Sequence, residues 1–480
     1  MRNEYPRPDF IREKWMPLNG TWNFQDGTDK TPVKIQVPFP PQSRLSGFQK
    51  ELTSDRITYQ RNFFIPAEWI GQRILLHFGA VDYKCSVFIN DHCVGFHEGG
   101  QSSFTFDITD FLSGGEETLT VAVTDYLHDE TVPRGKQFWK SSGEFIWYTQ
   151  SSGIWQSVWL EPVNEAHLEW IHFTPDIDQG TVEITYSLSD CTVFPCELEW
   201  DIRFKNNPVS HGSLTVSEKR GKIIVDIFKN KALRGSFHFT GWYWSPEHPN
   251  LFTVSALLKS RNILLDQVET YFGMRKVHVH GGRVYLNNQP YYQKLLLDQG
   301  YWPDGLYTAP SDEALIYDIQ TMKNLGFNMI RKHVKVETAR WYYHCDRLGM
   351  IVWQDMVNGG TYNAPFMTWL PALFPKFKLH TSDRIHPLFG RKNVHGREEF
   401  IRECKETVTA LKAFPCISTW VIFNEGWGQF DTNRITKLVR KADKTRLIDQ
   451  ASGWFDQGMG DIKSIHNYFF PLRLFDLRLL

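Results

Sequence analysis

The hydrophobic pattern of this chain changes period once, near Val277, and no other feature narrows its fold as much. Before that point apolar and polar residues alternate in short runs, at 59–65, 73–81, 84–90, 103–109 and 117–125, then at 167–175, 181–189, 196–204, 222–227, 251–259 and 264–277. Alternation puts every second side chain on one face of a strand, so each series must bury that face against another sheet. The pattern predicts two β-sandwiches, over 1–162 and 163–277, the second of immunoglobulin size.

After Val277 short apolar runs alternate with amphipathic helices, the order of a parallel α/β barrel. Strands are expected at 291–297, 327–331, 350–353, 418–423, 446–450 and 461–466, with helices at 312–325, 337–348, 398–412 and 432–442. The first helix carries Leu315, Ile319, Met322 and Leu325 on one face, with Ser311 before it and Gly326 after it as caps. A loop from 354 to about 395 is long for a plain connection and is expected to cover a site. About six strands result where a closed barrel has eight, and the 471–480 tail is too short for two more βα units. The expected fold is multidomain: two sandwiches, then an incomplete barrel over 278–480.

Charge narrows the partners. Lys plus Arg number 53 against 54 Asp plus Glu, with no long run of either sign, so nucleic acid is not expected. The amino terminus has no apolar stretch of signal-peptide type and no later run is long enough to span a bilayer. That predicts a soluble, cytoplasmic chain without membrane contact. Seven Cys, at 85, 93, 191, 196, 345, 404 and 416, lack zinc-ligand spacing and read as buried thiols.

The run Trp420-Val421-Ile422-Phe423-Asn424-Glu425 is an apolar strand whose carboxyl end presents an amide beside a carboxylate. In an α/β barrel that end is the catalytic face. Cleaving a glycosidic bond needs an acid for the departing oxygen, and burial among Trp420, Trp427 and Phe430 is expected to raise the pKa of Glu425 toward that task. Asn424 is placed to donate to a sugar hydroxyl. The plainer alternative is a strand ending in a solvated Asn-Glu turn. Asp298, Asp355, His466 and Tyr468 follow other strands and could line the same mouth, or be hydrogen-bonded loop residues. Trp302, Trp353, Trp427 and Trp454 could stack on sugar faces, or pack in the core.

The whole chain resembles glycoside hydrolase family 2, the group of β-galactosidases, β-glucuronidases and β-mannosidases. The likeness begins with Leu18-Asn19-Gly20-Thr21-Trp22-Asn23-Phe24 and continues through Tyr59-Gln60-Arg61-Asn62-Phe63, His97-Glu98-Gly99-Gly100 and Ser152-Gly153-Ile154-Trp155-Gln156. Phe272-Gly273-Met274-Arg275-Lys276 is similar to the family's entry into its barrel. Gly326-Phe327-Asn328-Met329-Ile330-Arg331-Lys332-His333 and the Cys416 to Glu425 stretch are similar to its two signatures. The resemblance implies an amino-terminal jelly roll, a TIM barrel, a retaining hydrolysis of β-glycosides with Glu425 as general acid/base, and Arg331 near the nucleophile. Here Arg331-Lys332-His333 is tighter than the family's Arg-x-x-His, so His333 is carried as a substrate-binding candidate on position alone.

The resemblance also implies a second carboxylate, a Glu in a Gly-Glu-Phe-Gly segment after the seventh strand. The Gly-Glu-Phe of this sequence is Gly143-Glu144-Phe145, in the first sandwich, where no barrel strand end is expected to offer it to substrate. The nucleophile is therefore expected to be absent and the chain truncated, weakly stable and hydrolytically inert, with open strand edges that invite pairing into a homo-oligomer. No Glu-x-His triplet follows Asp355 where some relatives hold magnesium, so neither metal nor cofactor is expected. The alternative is a noncatalytic glycan-binding protein, or an inactive fragment, built from the same sandwiches.

Overall fold

A computed structural model describes residues 2–27, 31–140, 143–229, 241–373 and 381–468. The 471–480 tail lies outside the described residues. The amino-terminal sandwich packs a six-stranded sheet, in the order Val33–Val37, Gly20–Asp26, Arg56–Phe64, Glu116–Thr124, Lys84–Ile89 and His92–Glu98, on a four-stranded one containing Arg73–Phe78 and Val158–Val163. The alternation read from the sequence is what fills it: Ile57, Tyr59, Val87, Leu119, Val121 and Leu160 point inward and are buried. A second core, with Val182, Ile184, Leu198, Ile202, Val254 and Val268, joins a three-stranded and a four-stranded sheet in the immunoglobulin manner.

The barrel portion is a five-stranded parallel sheet in sequence order: Leu295–Asp298, Met329–Lys332, Ile351–Asp355, Ile417–Val421 and Leu447–Asp449. Helices Asp312–Asn324, Ala339–Leu348, Val394–Leu411 and Thr432–Ala442 cover its outside. Ser311 caps the first by accepting from the Ala314 amide, and Gly349, at φ 77°, ends the second in the left-handed conformation that glycine adopts freely. The sixth expected strand is reduced to a single parallel bridge between Asp449 and Ile462. There the Asp461 carboxylate takes the Ile448 N–H that a ladder would use, at 2.8 Å.

Buried arginines tie the three bodies together. Arg12 donates to Asp266 at 3.0 and 2.8 Å and to Glu161 at 2.9 Å, joining the two sandwiches. Arg275 donates to the carbonyls of Pro415 and Ile417, at 3.0 and 2.8 Å, and so fixes the second sandwich to the base of the fourth barrel strand. All seven cysteines are unbridged. Among the described residues, no helix is long and apolar enough to cross a membrane.

Candidate functional site

The fourth barrel strand is buried along its whole length and delivers Asn424 and Glu425 at its carboxyl end. Glu425 stands in the left-handed region, φ 55°, which costs a non-glycine residue on the order of 1 kcal/mol. The turn is held by Trp427 N donating to Asn424 O at 3.1 Å and Glu425 N to Ser452 O at 3.1 Å. The two glycines on either side of Trp427, at φ 74° and 59°, let the chain reverse there.

Arg331, on the second strand, is the hub. Its guanidinium grips both oxygens of Asp355 at 2.8 and 2.9 Å, and also donates to Ser452 Oγ at 2.6 Å and Asn424 Oδ1 at 2.9 Å. Both partners are buried, Arg331 at 5 % and Asp355 at 1 % exposure, so this is a desolvated two-pronged pair whose geometry fixes three strand ends at once. Because Asn424 spends its carbonyl oxygen on Arg331, its amide nitrogen faces Glu425, 3.5 Å from Oε2.

Glu425 keeps 17 % of its side chain accessible. His466 Nδ1 lies 2.6 Å from Oε1, and the Tyr468 hydroxyl donates to the same oxygen. The sequence predicts a raised pKa here, and the structure reverses the sign. Burial does push the carboxyl up, but the hydrogen bond and charge of His466, the Tyr468 hydroxyl and the charge of Lys136 together outweigh it and hold it below its ordinary value. His333, beside this group, accepts from Gln299 Nε2 through Nδ1 at 3.0 Å. Burial and the cations Arg331 and Lys136 keep its pKa well below the usual range, so it is neutral.

One wall of the site comes from the first sandwich. The 128–150 stretch leaves its sheets and lays Trp147 against Trp427, centroids 5.1 Å apart and nearly perpendicular. Arg134 stacks its guanidinium over Trp139, Trp147 and Trp427 at 4.7 to 5.5 Å. Tyr148 stacks on Tyr301 at 4.1 Å and donates to Gln299 at 2.6 Å. Lys136 comes within electrostatic reach of Glu425 and Asp355. Gly143-Glu144-Phe145 precedes Trp147 on this stretch, and all three residues are exposed, Phe145 at 89 %. The long 354–395 connection is the mortar: Asn358 O accepts from the amides of Arg134 and Gly135, at 3.0 and 2.8 Å, and Gly360 O from Trp427 Nε1 at 3.0 Å.

Not every candidate is brought here. Asp298 is in register with Lys332, not Arg331, and so points to the outer, helix-covered side of the sheet. There it pairs with Lys332 at 2.7 Å, in a buried cluster with Glu337. Trp302 packs on the barrel core, whereas Trp353, in register with Arg331, lies on the same face of the sheet as Arg331 and Asp355 and donates to Gln293 at 2.8 Å. Trp454 contacts His466 and Tyr468, with centroids 6.3 and 6.1 Å away. The sequence reading missed Lys136, Trp147 and Ser452. The available signal for the first two was the density of cations and aromatics in a stretch without strand alternation. Among the described residues, one group of possible metal ligands stands out, Glu98, His395 and Glu399, with ligand atoms within 4.8 Å of one another. Lys84 and Arg402 already engage the carboxylates of Glu98 and Glu399.

Comparison with known proteins matches three consecutive family models: "Glycosyl hydrolases family 2, sugar binding domain" over residues 12–160, "Glycosyl hydrolases family 2" over 166–275 and "Glycosyl hydrolases family 2, TIM barrel domain" over 277–470. A β-galactosidase of Thermoanaerobacter pseudethanolicus is 24 % identical over 404 residues, 81 % of this chain and 47 % of its own length. A putative β-glucuronidase of Formosa agariphila is 26 % identical over 373 residues, 74 % of this chain and 39 % of its own. The chain thus spans less than half the length of these relatives. Among solved structures, a β-D-glucuronidase of Dictyoglomus thermophilum shares the fold with a TM-score of 0.71 at 20 % identity, covering 92 % of this chain and 73 % of that one. A β-galacturonidase of Eisenbergiella tayi, solved with galacturonate, does so with 0.69 at 20 % identity, over 93 % and 72 %.

Proposed function

Because the chain belongs to glycoside hydrolase family 2, we propose that its barrel mouth is the acid/base half of a β-glycoside-cleaving site, with Glu425 as the proton donor. What carries this reading is the position of Glu425: a partly accessible carboxyl at the end of the fourth strand, beside an amide whose nitrogen is turned toward it. Without a ligand, His466 and Tyr468 keep the carboxyl ionised. A glycosidic oxygen entering at hydrogen-bond distance displaces one of them, and burial then favours the protonated form that can hand over a proton. Asn424 donates to a ring hydroxyl, Arg331 and Asp355 hold it in place, and neutral His333 borders the ring. Trp427 and Trp147 are buried, at 5 % and 7 % exposure, and back the wall of the site from within. Relatives named β-galactosidase and β-glucuronidase support a galactoside or glucuronide as substrate.

Retaining cleavage needs a second carboxylate about 5 to 5.5 Å from the first. The other strand-end carboxylates are spent: Asp355 gives both oxygens to Arg331, and Asp449 accepts from Ser452 N at 3.0 Å and from Ser464. Neither is free to attack, which favours, as a second reading, a chain that binds β-glycosides without turning them over. Calorimetric titration with methyl β-galactoside and methyl β-glucuronide, together with nitrophenol release from the corresponding nitrophenyl glycosides, tests both. Any turnover should vanish in Glu425→Gln while affinity changes less than about fivefold. Failure of every β-glycoside to bind would end the proposal.

A further inference from the structure

Among the described residues, the charged side chains around Glu425 hydrogen-bond to neighbours, with the exception of Lys136. Arg331 is divided among Asp355, Ser452 and Asn424. Arg134 is buried under three indoles, donates to the carbonyls of Glu130 and Gly360, and leaves its Nε without a partner among the described residues, sealed from any ligand. Glu425 is held by His466 and Tyr468. Lys136 has a pinned backbone and an uncommitted head. Its carbonyl accepts from Tyr148 N at 2.9 Å, and the preceding Gly135 donates to Asn358 at 2.8 Å. A Cβ on that glycine would lie 2.5 Å from the Val334 carbonyl oxygen, so the loop meets the barrel backbone to backbone. Its Nζ, by contrast, sits 5.0 Å from the Trp147 ring centroid and, among the described residues, forms no ion pair with any carboxylate.

An ammonium that is partly buried, lies against an indole and has no oxygen partner among the described residues is poorly compensated. Burial accordingly pushes its pKa down to about 8, even though Glu425 and Asp355 both pull it up from a distance. Closing the mouth over a sugar would remove more water from it. A hydroxyl could accept one of its hydrogens but would leave the charge unanswered, whereas an anionic oxygen answers both. Such a group must sit on the Trp147 side, away from Glu425, because next to Glu425 it would meet like charge.

We propose that Lys136 determines specificity, binding an anionic substituent, a carboxylate or a sulfate ester, on a sugar ring held at the barrel mouth. The inference rests on the reading of the barrel mouth as a glycoside site and adds to it the charge class of the sugar. A loop of the first sandwich then chooses which glycoside reaches the proton donor on the barrel.

Calorimetry at pH 7 tests it with matched methyl β-glycosides in the gluco and galacto series: the neutral sugar, its uronide and its 6-sulfate. In at least one series an anionic member should bind about tenfold more tightly than the neutral one, a difference of about 1.4 kcal/mol. The uronide and sulfate arms say which anion is meant. In Lys136→Met that ratio should fall below about threefold, and Lys136→Arg, which keeps the charge, should retain part of it. Equal affinity for neutral and anionic sugars in the wild-type protein overturns the proposal, even if the variants fail to fold. A preference that survives Lys136→Met overturns it as well. If no glycoside binds to the wild-type protein, the barrel-mouth reading falls with it, which separates the two failures.

Discussion

His466 holds Nδ1 2.6 Å from Oε1 of Glu425, while its Nε2 lies 3.2 Å from Ser452 Oγ, the same hydroxyl that accepts from Arg331. That hydroxyl also shares a hydrogen bond with Nε2. With hydrogen on Nδ1, the ring donates to the carboxylate. A relay therefore runs from Asp355 through Arg331, Ser452 and His466 to Glu425, and it favours the charged form of the acid.

Removing the imidazole takes away the largest influences that oppose burial at this carboxyl. In His466→Ala the pKa of Glu425 is expected to rise. Carbon NMR of the Glu425 carboxyl across a pH titration reads this directly, and a midpoint that stays or falls contradicts the relay.

Arg331 and Asp355 form a buried pair whose members cannot be removed singly without penalty. Arg331→Met leaves a carboxylate sealed from water and is expected to cost about 3 to 5 kcal/mol. Adding Asp355→Asn should recover part of that loss. Urea unfolding of the single and double variants measures both, and equal stability in the two would show the pair to be uncoupled.

Glu403 gives a pH prediction with a definite sign. Burial pushes its carboxyl up to about 8 against an ordinary 4.5, so the fold prefers it neutral. Stability from this group is complete below pH 4.5 and is lost as pH rises toward 8, because the unfolded chain ionises freely over that window. Glu403→Gln stays neutral throughout, and Tyr83 still has an oxygen to donate to. Its melting temperature relative to the wild-type protein should climb between pH 5 and pH 8, by an amount set by about 1.4 kcal/mol per pKa unit. A flat difference would mean that Glu403 is not held neutral.

Much of the scaffold could be read from periodicity alone. The strands at 196–204 and 181–189 and the 432–442 helix fall where alternation and helical spacing put them, because each buries one face and nothing distant interferes. The strand-end dipeptide was legible too. What alternation cannot carry is a partner far away in the chain. Nothing near Glu425 announces the charge of Lys136, and nothing near Asp298 says that Lys332 will claim it; only sheet register does. The expected sixth strand failed for a similar reason, since one aspartate side chain took the amide that a ladder needed.

Gly359 tests how closely the sandwich loop is applied to the barrel. A methyl group there would lie 1.9 Å from the Val132 carbonyl oxygen and 2.6 Å from its carbon, both backbone atoms with little room to move. Gly359→Ala should therefore cost about 1 to 3 kcal/mol and shift the loop. The paired Trp147 and Trp427 indoles supply the readout, and their near-ultraviolet circular dichroism band should weaken. An unchanged band with unchanged stability would show that the two surfaces have slack between them.

In the proposed reading the proton donor sits in one folding unit and the facing wall in another, so the two can diversify separately. Exchange of the 128–150 stretch between homologous chains is then expected to act as a cassette, altering which glycosides bind while Glu425 and the groups that hold it stay as they are.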